Sequence, residues 1–172
     1  MSLKILVAMS GGVDSSTTAA LLKEQGHDVS GITMQLWDYA DSETGCCSLN
    51  DVFDARQAAN QIGIEHTVVN YRDDFQNYVV NDFINKYYNG LTPNPCIMCN
   101  EYMKFNFLLN KALDLGADYL ATGHYAKISK DQTGRYYLEK GVDKFKDQSY
   151  FLFSLKQKEL SRLMFPLGGF SK

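Results

Sequence analysis

Six residues near the amino end, Ser10-Gly11-Gly12-Val13-Asp14-Ser15, combine the types needed to hold a phosphate. Two adjacent glycines let the backbone turn tightly and approach an anion, the serines offer hydroxyls, and a helix starting there adds N–H groups and the positive end of its dipole. Asp14 fits such a place if the anion arrives with a divalent cation, because a carboxylate and phosphate oxygens can share one ion. The pattern G-x-x-x-x-G-K-[ST], in which the loop carries its own lysine, is absent. An ordinary turn before a helix would need the glycines alone, whereas the whole hexapeptide after an apolar run points to phosphate.

The four cysteines form two close pairs, Cys46-Cys47 and Cys96-x-x-Cys99. They are too few and too clustered for a disulfide scaffold, and in a reducing compartment they suggest redox, sulfur or metal chemistry. Cys96 and Cys99 could ligate zinc or an iron–sulfur cluster, or close a redox disulfide. A full metal site needs further ligands, which adjacent residues such as Cys46 and Cys47 supply poorly.

The 172 residues, 45% hydrophobic and 22% charged, have the balance of a globular chain with one core, which excludes disorder. No apolar run approaches the roughly 18 residues of a membrane span, and the first residues lack the shape of a signal peptide. A cytoplasmic protein with no membrane partner is expected. The net charge of −3 argues against indiscriminate nucleic-acid binding. It is unevenly spread: residues 1–99 hold 5 Lys and Arg against 12 Asp and Glu, and residues 100–172 hold 12 against 8. A phosphate-rich partner would favour the second half, although a solvated surface explains the bias equally well.

These residues need elements to place them. The apolar run 4–9 reads as a strand buried on both faces, followed by the glycine loop and a helix that Gly26 stops. Residues 29–36 and 66–69 read as strands, with a helix over 51–62 between them. Residues 73–88 carry Phe75, Tyr78, Val79 and Phe83 at helical spacing, until the breakers 89–95 intervene. A helix over 101–115 follows, with a strand at 119–122. Residues 125–128 and 136–139 flank a turn at 131–134 as a hairpin, and a last helix lies near 157–164. Strands alternating with helices predict an α/β fold, a doubly wound parallel sheet whose ligands bind beyond the strands' carboxyl ends. The loop 10–15, the stretch from Met34 and Gly123-His124 should therefore converge.

S-G-G-x-D-S at Ser10 to Ser15 is the signature of the PP-loop ATP pyrophosphatases, whose fold is of the adenine nucleotide alpha hydrolase-like type. Further segments narrow the likeness: G-C-C-S-L-N-D-V-x-D-A-R from Gly45, T-P-N-P-C-x-x-C-N from Thr92, Lys104-Phe105, A-T-G-H-Y-A from Ala121 and K-D-Q-S-Y-F-L from Lys146. Together they resemble the tRNA-specific 2-thiouridylases, the MnmA family, over essentially the whole chain. The resemblance implies ATP-dependent 2-thiolation of wobble uridine 34: adenylation of the C2 oxygen with pyrophosphate release, then sulfur transfer through cysteine. It implies ATP and Mg2+ contacts at Ala8, Met9, Ser10, Gly11, Gly12, Val13, Asp14, Ser15, Met34 and Gly123. tRNA would be met by Asn94, Pro95, Cys96, His124, Lys146, Asp147 and Gln148. Cys99 would be the nucleophile, with Asp14 and Cys96 as further catalytic residues, and the partners would be tRNA and a sulfur-donor protein. The attacking group is a thiolate, so Cys99 needs a lowered pKa, for which the start of the expected helix at Glu101 is a source.

Two departures from the family pattern qualify this expectation. Many relatives carry Asp, with acid/base duty, where this chain has Cys96. The family's persulfide-bearing second cysteine and its later tRNA-binding and β-barrel domains would fall beyond Lys172. Residues 1–172 are accordingly expected to form the ATP-binding catalytic domain alone, with about 125–172 a hairpin and helix extension. Another PP-loop adenylating enzyme, such as an amidotransferase or a tRNA lysidine synthetase, stays open, as does a catalytically incomplete ATP-binding module.

Overall fold

A computed structural model describes residues 2–37 and 49–172. In chain order its strands are β1 (Lys4–Ala8), β2 (Asp28–Gln35), β3 (Glu65–Asn70), β4 (Tyr119–Ala121), β5 (Ala126–Lys130), β6 (Tyr136–Lys140) and β7 (Leu163–Met164). Five of these make one all-parallel sheet in the order β3-β2-β1-β4-β7, and β5 and β6 pair antiparallel as a separate hairpin. The chain winds outward from β1 to β3, then returns to β4 on the other side of β1. The order reverses between β1 and β4, and the loops leaving those strands diverge there to open a crevice.

β1 shows why its sequence is apolar after Lys4. Ile5, Val7 and Met9 pack with Ala19 and Leu22 of α1 (Val13–Glu24) and with Ala55 and Ala59 of α2 (Leu49–Ile62). Leu6 points the other way, into a core with Met103, Phe105, Leu108, Ala112 and Leu120. Each fully buried large aliphatic contributes about 1.5–3 kcal/mol, so the two-sided burial of β1 anchors the loop that follows it.

The opposite face is covered by two long helical stretches. Residues 72–88 are helical throughout, with π-helical Gln76–Val80 between α-helical Arg72–Phe75 and Asn81–Tyr88. Of the expected stripe, Phe75 and Val79 are buried, while Tyr78 and Phe83 stay partly exposed, Tyr78 stacked on Tyr102 at 5.1 Å. Residues 95–114 form the second stretch, α-helical at Pro95–Met98 and Leu109–Asp114 and π-helical over Cys99–Leu108.

Two sequence expectations are corrected. The helix expected from residue 101 begins six residues earlier, because Pro95 is its first residue rather than the last of a breaker. Pro at that position loses no helical hydrogen bond, and the Asn94 side chain caps the turn by accepting from Cys96 N at 3.0 Å. The helix expected near 157–164 stops at Leu160, and Leu163–Met164 become the sheet's edge strand. Leu120 N of β4 and Thr122 N directly after it donate to Arg162 O and Met164 O at 3.0 and 3.1 Å.

Candidate functional site

The loop after β1 is closed by one side chain. Ser15 is buried, donates from its hydroxyl to Gly12 O at 3.0 Å and accepts from Ser10 N at 3.1 Å, bringing the two serine hydroxyls 3.5 Å apart. Gly12 is the N-cap of α1 and supplies no side-chain cap, so the helix presents its first N–H groups toward the loop.

The three glycines here serve different needs. Gly11 has φ +78°, and a Cβ on it would collide with the Asp51 carbonyl of α2. A Cβ on Gly123 would lie 2.9 Å from both Asp14 C and Ser15 N, so it lets the end of β4 touch the start of α1. Gly12 has φ −78° and ψ 159°, open to any residue, and among the described residues a Cβ there would meet only Ser10 Oγ at 3.6 Å. Neither conformation nor packing among the described residues requires glycine at position 12.

A cleft of about 220 Å³ opens at the β1/β4 crevice. Ser10, Asp14 and Ser15 form one polar edge, and Ile32, Met34 and Leu108 form an apolar wall. Lys104 reaches it from the helical stretch 95–114, and Gln148 closes the rim. Gln148 is locked to Tyr125 in both directions: Tyr125 N donates to Gln148 Oε1 and Gln148 N to Tyr125 O, each at 3.0 Å. A larger cleft of about 520 Å³ lies between residues 101–113 and 154–162, away from the strands' carboxyl ends and the glycine loop.

His124 stands in the cleft wall. Its ring is buried between Phe105 and Phe165, with centroids 5.8 and 5.7 Å away, and its Nδ1 lies 2.7 Å from Thr122 Oγ1. Burial holds its pKa well below 6.5, and the Lys104 charge pushes the same way. At neutral pH it is an uncharged hydrogen-bonding group. Asp14 is held by two partners, Tyr125 OH donating to Oδ1 at 3.1 Å and Lys172 Nζ to Oδ2 at 2.7 Å.

With this geometry in place, a family model described as the tRNA methyl transferase HUP domain matches residues 3–172. The chain belongs to that family. This HUP domain is 56% identical to the tRNA-specific 2-thiouridylase MnmA of Geotalea uraniireducens, over 98% of the chain and 47% of that protein. It is 52% identical to the protein of the same name from Clostridioides difficile, over the whole chain and 49% of that protein. The chain thus spans about half the length of the curated relatives it matches. Among solved structures, a predicted subunit of tRNA methyltransferase from Methanocaldococcus jannaschii superposes with a TM-score of 0.56 at 19% identity, covering 98% of this chain and 70% of that one. A glutamine-dependent NAD+ synthetase from Acinetobacter baumannii matches at 0.50 and 16%, over 69% of this chain and 20% of that one. At such identities the likeness is of fold, and it agrees with the doubly wound parallel sheet expected from the sequence.

The HUP domain brings Ala8, Met9, Ser10, Asp14, Ser15, Met34, Gly123, His124 and Gln148 to one cleft. Gly11 and Gly12 belong to its loop and Val13 opens α1, none of the three lining it. Ile32, Lys104, Leu108, Thr122, Tyr125 and Lys172 were not singled out as site residues by sequence. Lys104 carried a signal in its Lys-Phe segment, whereas Tyr125 and Lys172 reach Asp14 only through folding.

Cys96 and Cys99 lie outside the cleft, one turn apart at the start of the 95–114 stretch, exposed and half-buried respectively, with no disulfide between them. Because the helix begins at Pro95, its N-terminus lies at Cys96, and Cys99 sits a turn inside. The Glu101 helix start therefore cannot serve Cys99 as expected. The next residue, Asn100, is buried and donates to Phe151 O at 3.4 Å, tying this turn to the 3-10 turn Ser149–Leu152. Among the described residues no group of three or more His, Cys, Asp or Glu could hold a metal ion, so Cys96 and Cys99 do not by themselves fit zinc or an iron–sulfur cluster. Cys46 and Cys47 lie outside the described residues.

Of the Lys146-Asp147-Gln148 segment, only Lys146 is exposed. Asp147 turns inward, accepting from Gly141 N and from Ser149 Oγ at 2.9 Å each. No helix among the described residues is long and apolar enough to cross a membrane.

Proposed function

We propose that this domain binds Mg-ATP in the β1/β4 cleft and activates the C2 oxygen of uridine 34 in tRNA for replacement by sulfur. The observation that carries the nucleotide reading is Gly12. Among the described residues nothing fills the place a side chain would take, so the bare backbone leaves the uncapped N–H groups at the start of α1 open to a phosphate. The polar edge of Ser10, Asp14 and Ser15 suits a triphosphate, and Ile32, Met34 and Leu108 suit the faces of an adenine ring. Asp14 fits Mg2+, which takes one or two carboxylates and completes its shell with phosphate and water.

In this reading the loop holds the β and γ phosphates while the uracil O2 attacks the α phosphorus and pyrophosphate departs. The poor leaving group becomes AMP, which a sulfur nucleophile at C2 can expel. On the family's pattern that nucleophile would be the outer sulfur of a persulfide on the second cysteine; the Cys99 thiolate would then attack the inner sulfur, closing a disulfide and leaving the outer sulfur on C2, with Asn94, Pro95 and Cys96 beside the base. Lys146, which is exposed, would meet tRNA phosphates. Sulfur would be delivered by a separate donor protein, and a tRNA-directed reaction places the protein in the cytoplasm.

The test is pyrophosphate release from ATP with and without tRNA bearing uridine 34. Release that depends on that tRNA supports the reading. Release without any tRNA, or with a different acceptor, points instead to another adenylating enzyme of the same fold.

A further inference from the structure

No lysine or arginine occurs between Lys4 and Lys23, so the glycine loop has no cation of its own for a polyphosphate. Its one charged side chain is Asp14, which opposes an incoming anion. Lys172 answers that charge from 158 residues away, with Nζ 2.7 Å from Asp14 Oδ2.

The fold builds this contact. The 3-10 turn Pro166–Gly169 is anchored where Val142 N donates to Gly168 O at 3.0 Å, and the Lys172 backbone N–H donates to Asp143 Oδ2 at 3.0 Å. The ammonium also stands 6.0 Å from the centre of the Tyr125 ring, whose hydroxyl holds the other oxygen of Asp14. Both oxygens of Asp14 are therefore engaged, and a metal ion can take Oδ2 only if Lys172 releases it. The pair is partly exposed, with 44% of the lysine side chain and 34% of the aspartate open to solvent, so the exchange needs no unfolding.

We propose that Lys172 is the phosphate-binding cation of this site, paired with Asp14 before the nucleotide arrives and transferred to the β and γ phosphates when Mg2+ takes its place on Asp14. This rests on the Mg-ATP reading above. The exchange conserves charge: one neutral pair becomes Asp14 with the divalent cation and Lys172 with the polyphosphate. A lysine suits the exchange because its four-carbon stem lets the ammonium move while the backbone stays held at Asp143. Lys104, on the cleft wall, is a second cation at the site.

Calorimetry of the chain with Mg-ATP, Mg-pyrophosphate and AMP separates the outcomes, using wild type, Lys172→Met and Lys172→Arg. A lost charge-assisted contact should weaken Mg-ATP and Mg-pyrophosphate by about tenfold in Lys172→Met. AMP affinity should be unchanged, and Lys172→Arg should recover most of the loss. Equal Mg-ATP affinity in wild type and Lys172→Met would overturn the role of Lys172 and leave the nucleotide site standing. An equal loss for AMP would also overturn it, by showing that Lys172 only holds Asp14 and the loop in shape. Wild type that binds no Mg-ATP would remove the nucleotide reading, and the role of Lys172 with it.

Discussion

Thr122 Oγ1 and His124 Nδ1 lie 2.7 Å apart in the buried wall of the cleft, directly after the strand that borders the glycine loop. Burial of the ring between Phe105 and Phe165 favours an uncharged imidazole, as does the Lys104 charge.

The fold should consequently lose stability as the pH falls below neutrality. The His124 pKa is depressed in the folded state, so between 6.5 and that lower value the unfolded chain binds the extra proton. The stabilising contribution is complete above 6.5 and declines as the pH drops toward the folded pKa. His66 is also lowered, by burial and then by Arg56, and acts with the same sign. Thermal unfolding at pH 7.5 and 5.5 should show a lower Tm at 5.5, and His124→Gln should shrink the difference. An identical difference in His124→Gln would show that His124 is not its source.

Gly11 and Gly12, although adjacent, should respond oppositely to substitution. Gly11→Ala puts a side chain at positive φ and into the α2 backbone, which should cost about 1–3 kcal/mol of stability in denaturant titration. Gly12→Val should cost about 1 kcal/mol or less as an N-cap change, yet abolish Mg-ATP binding in calorimetry. Unchanged nucleotide affinity in Gly12→Val would refute phosphate binding at this loop.

Cys99→Ser should keep its fold and Mg-ATP affinity and lose sulfur transfer in a reconstituted full-length or two-part system, because a hydroxyl is a far weaker nucleophile than a thiolate at neutral pH. Cys96→Ser should stay partly active. Mass spectrometry of 2-thiouridine reads both variants. Wild-type levels from Cys99→Ser would remove Cys99 from the reaction.

Binding of tRNA should be strongly salt dependent, since basic residues concentrate in the second half of the chain. Lys146 is exposed, so Lys146→Ala should lower the slope of log affinity against log salt by about 0.7–0.9, the share of one phosphate. Asp147→Asn should leave that slope unchanged and instead loosen the turn held at Gly141 and Ser149. Fluorescence titrations across a salt series would read both effects.

Local sequence determined the strand, glycine loop and helix at residues 4–24, because a strand buried on both faces is apolar where it is buried, here at Ile5, Leu6 and Val7, and Gly26 stops the helix that follows. The body of the helix expected over 101–115 was legible because its apolar residues face the core, and Phe105, Leu108, Leu109 and Ala112 are all buried. Pro95 misled because a proline ends one helix as readily as it begins another, and only the Asn94 cap decides between them. β7 left no local signal: two residues have no period, and Leu163–Met164 form a strand only because the edge of β4 is there to pair with. The site divides along the same line. Ser10 to Ser15 are neighbours in the chain, and their types alone suggested phosphate. The ion pair of Asp14 with Lys172 and the hydrogen bond from Tyr125 join residues more than 100 positions apart, so they exist only once the sheet has brought the ends of β1 and β4 and the Pro166–Gly169 turn together.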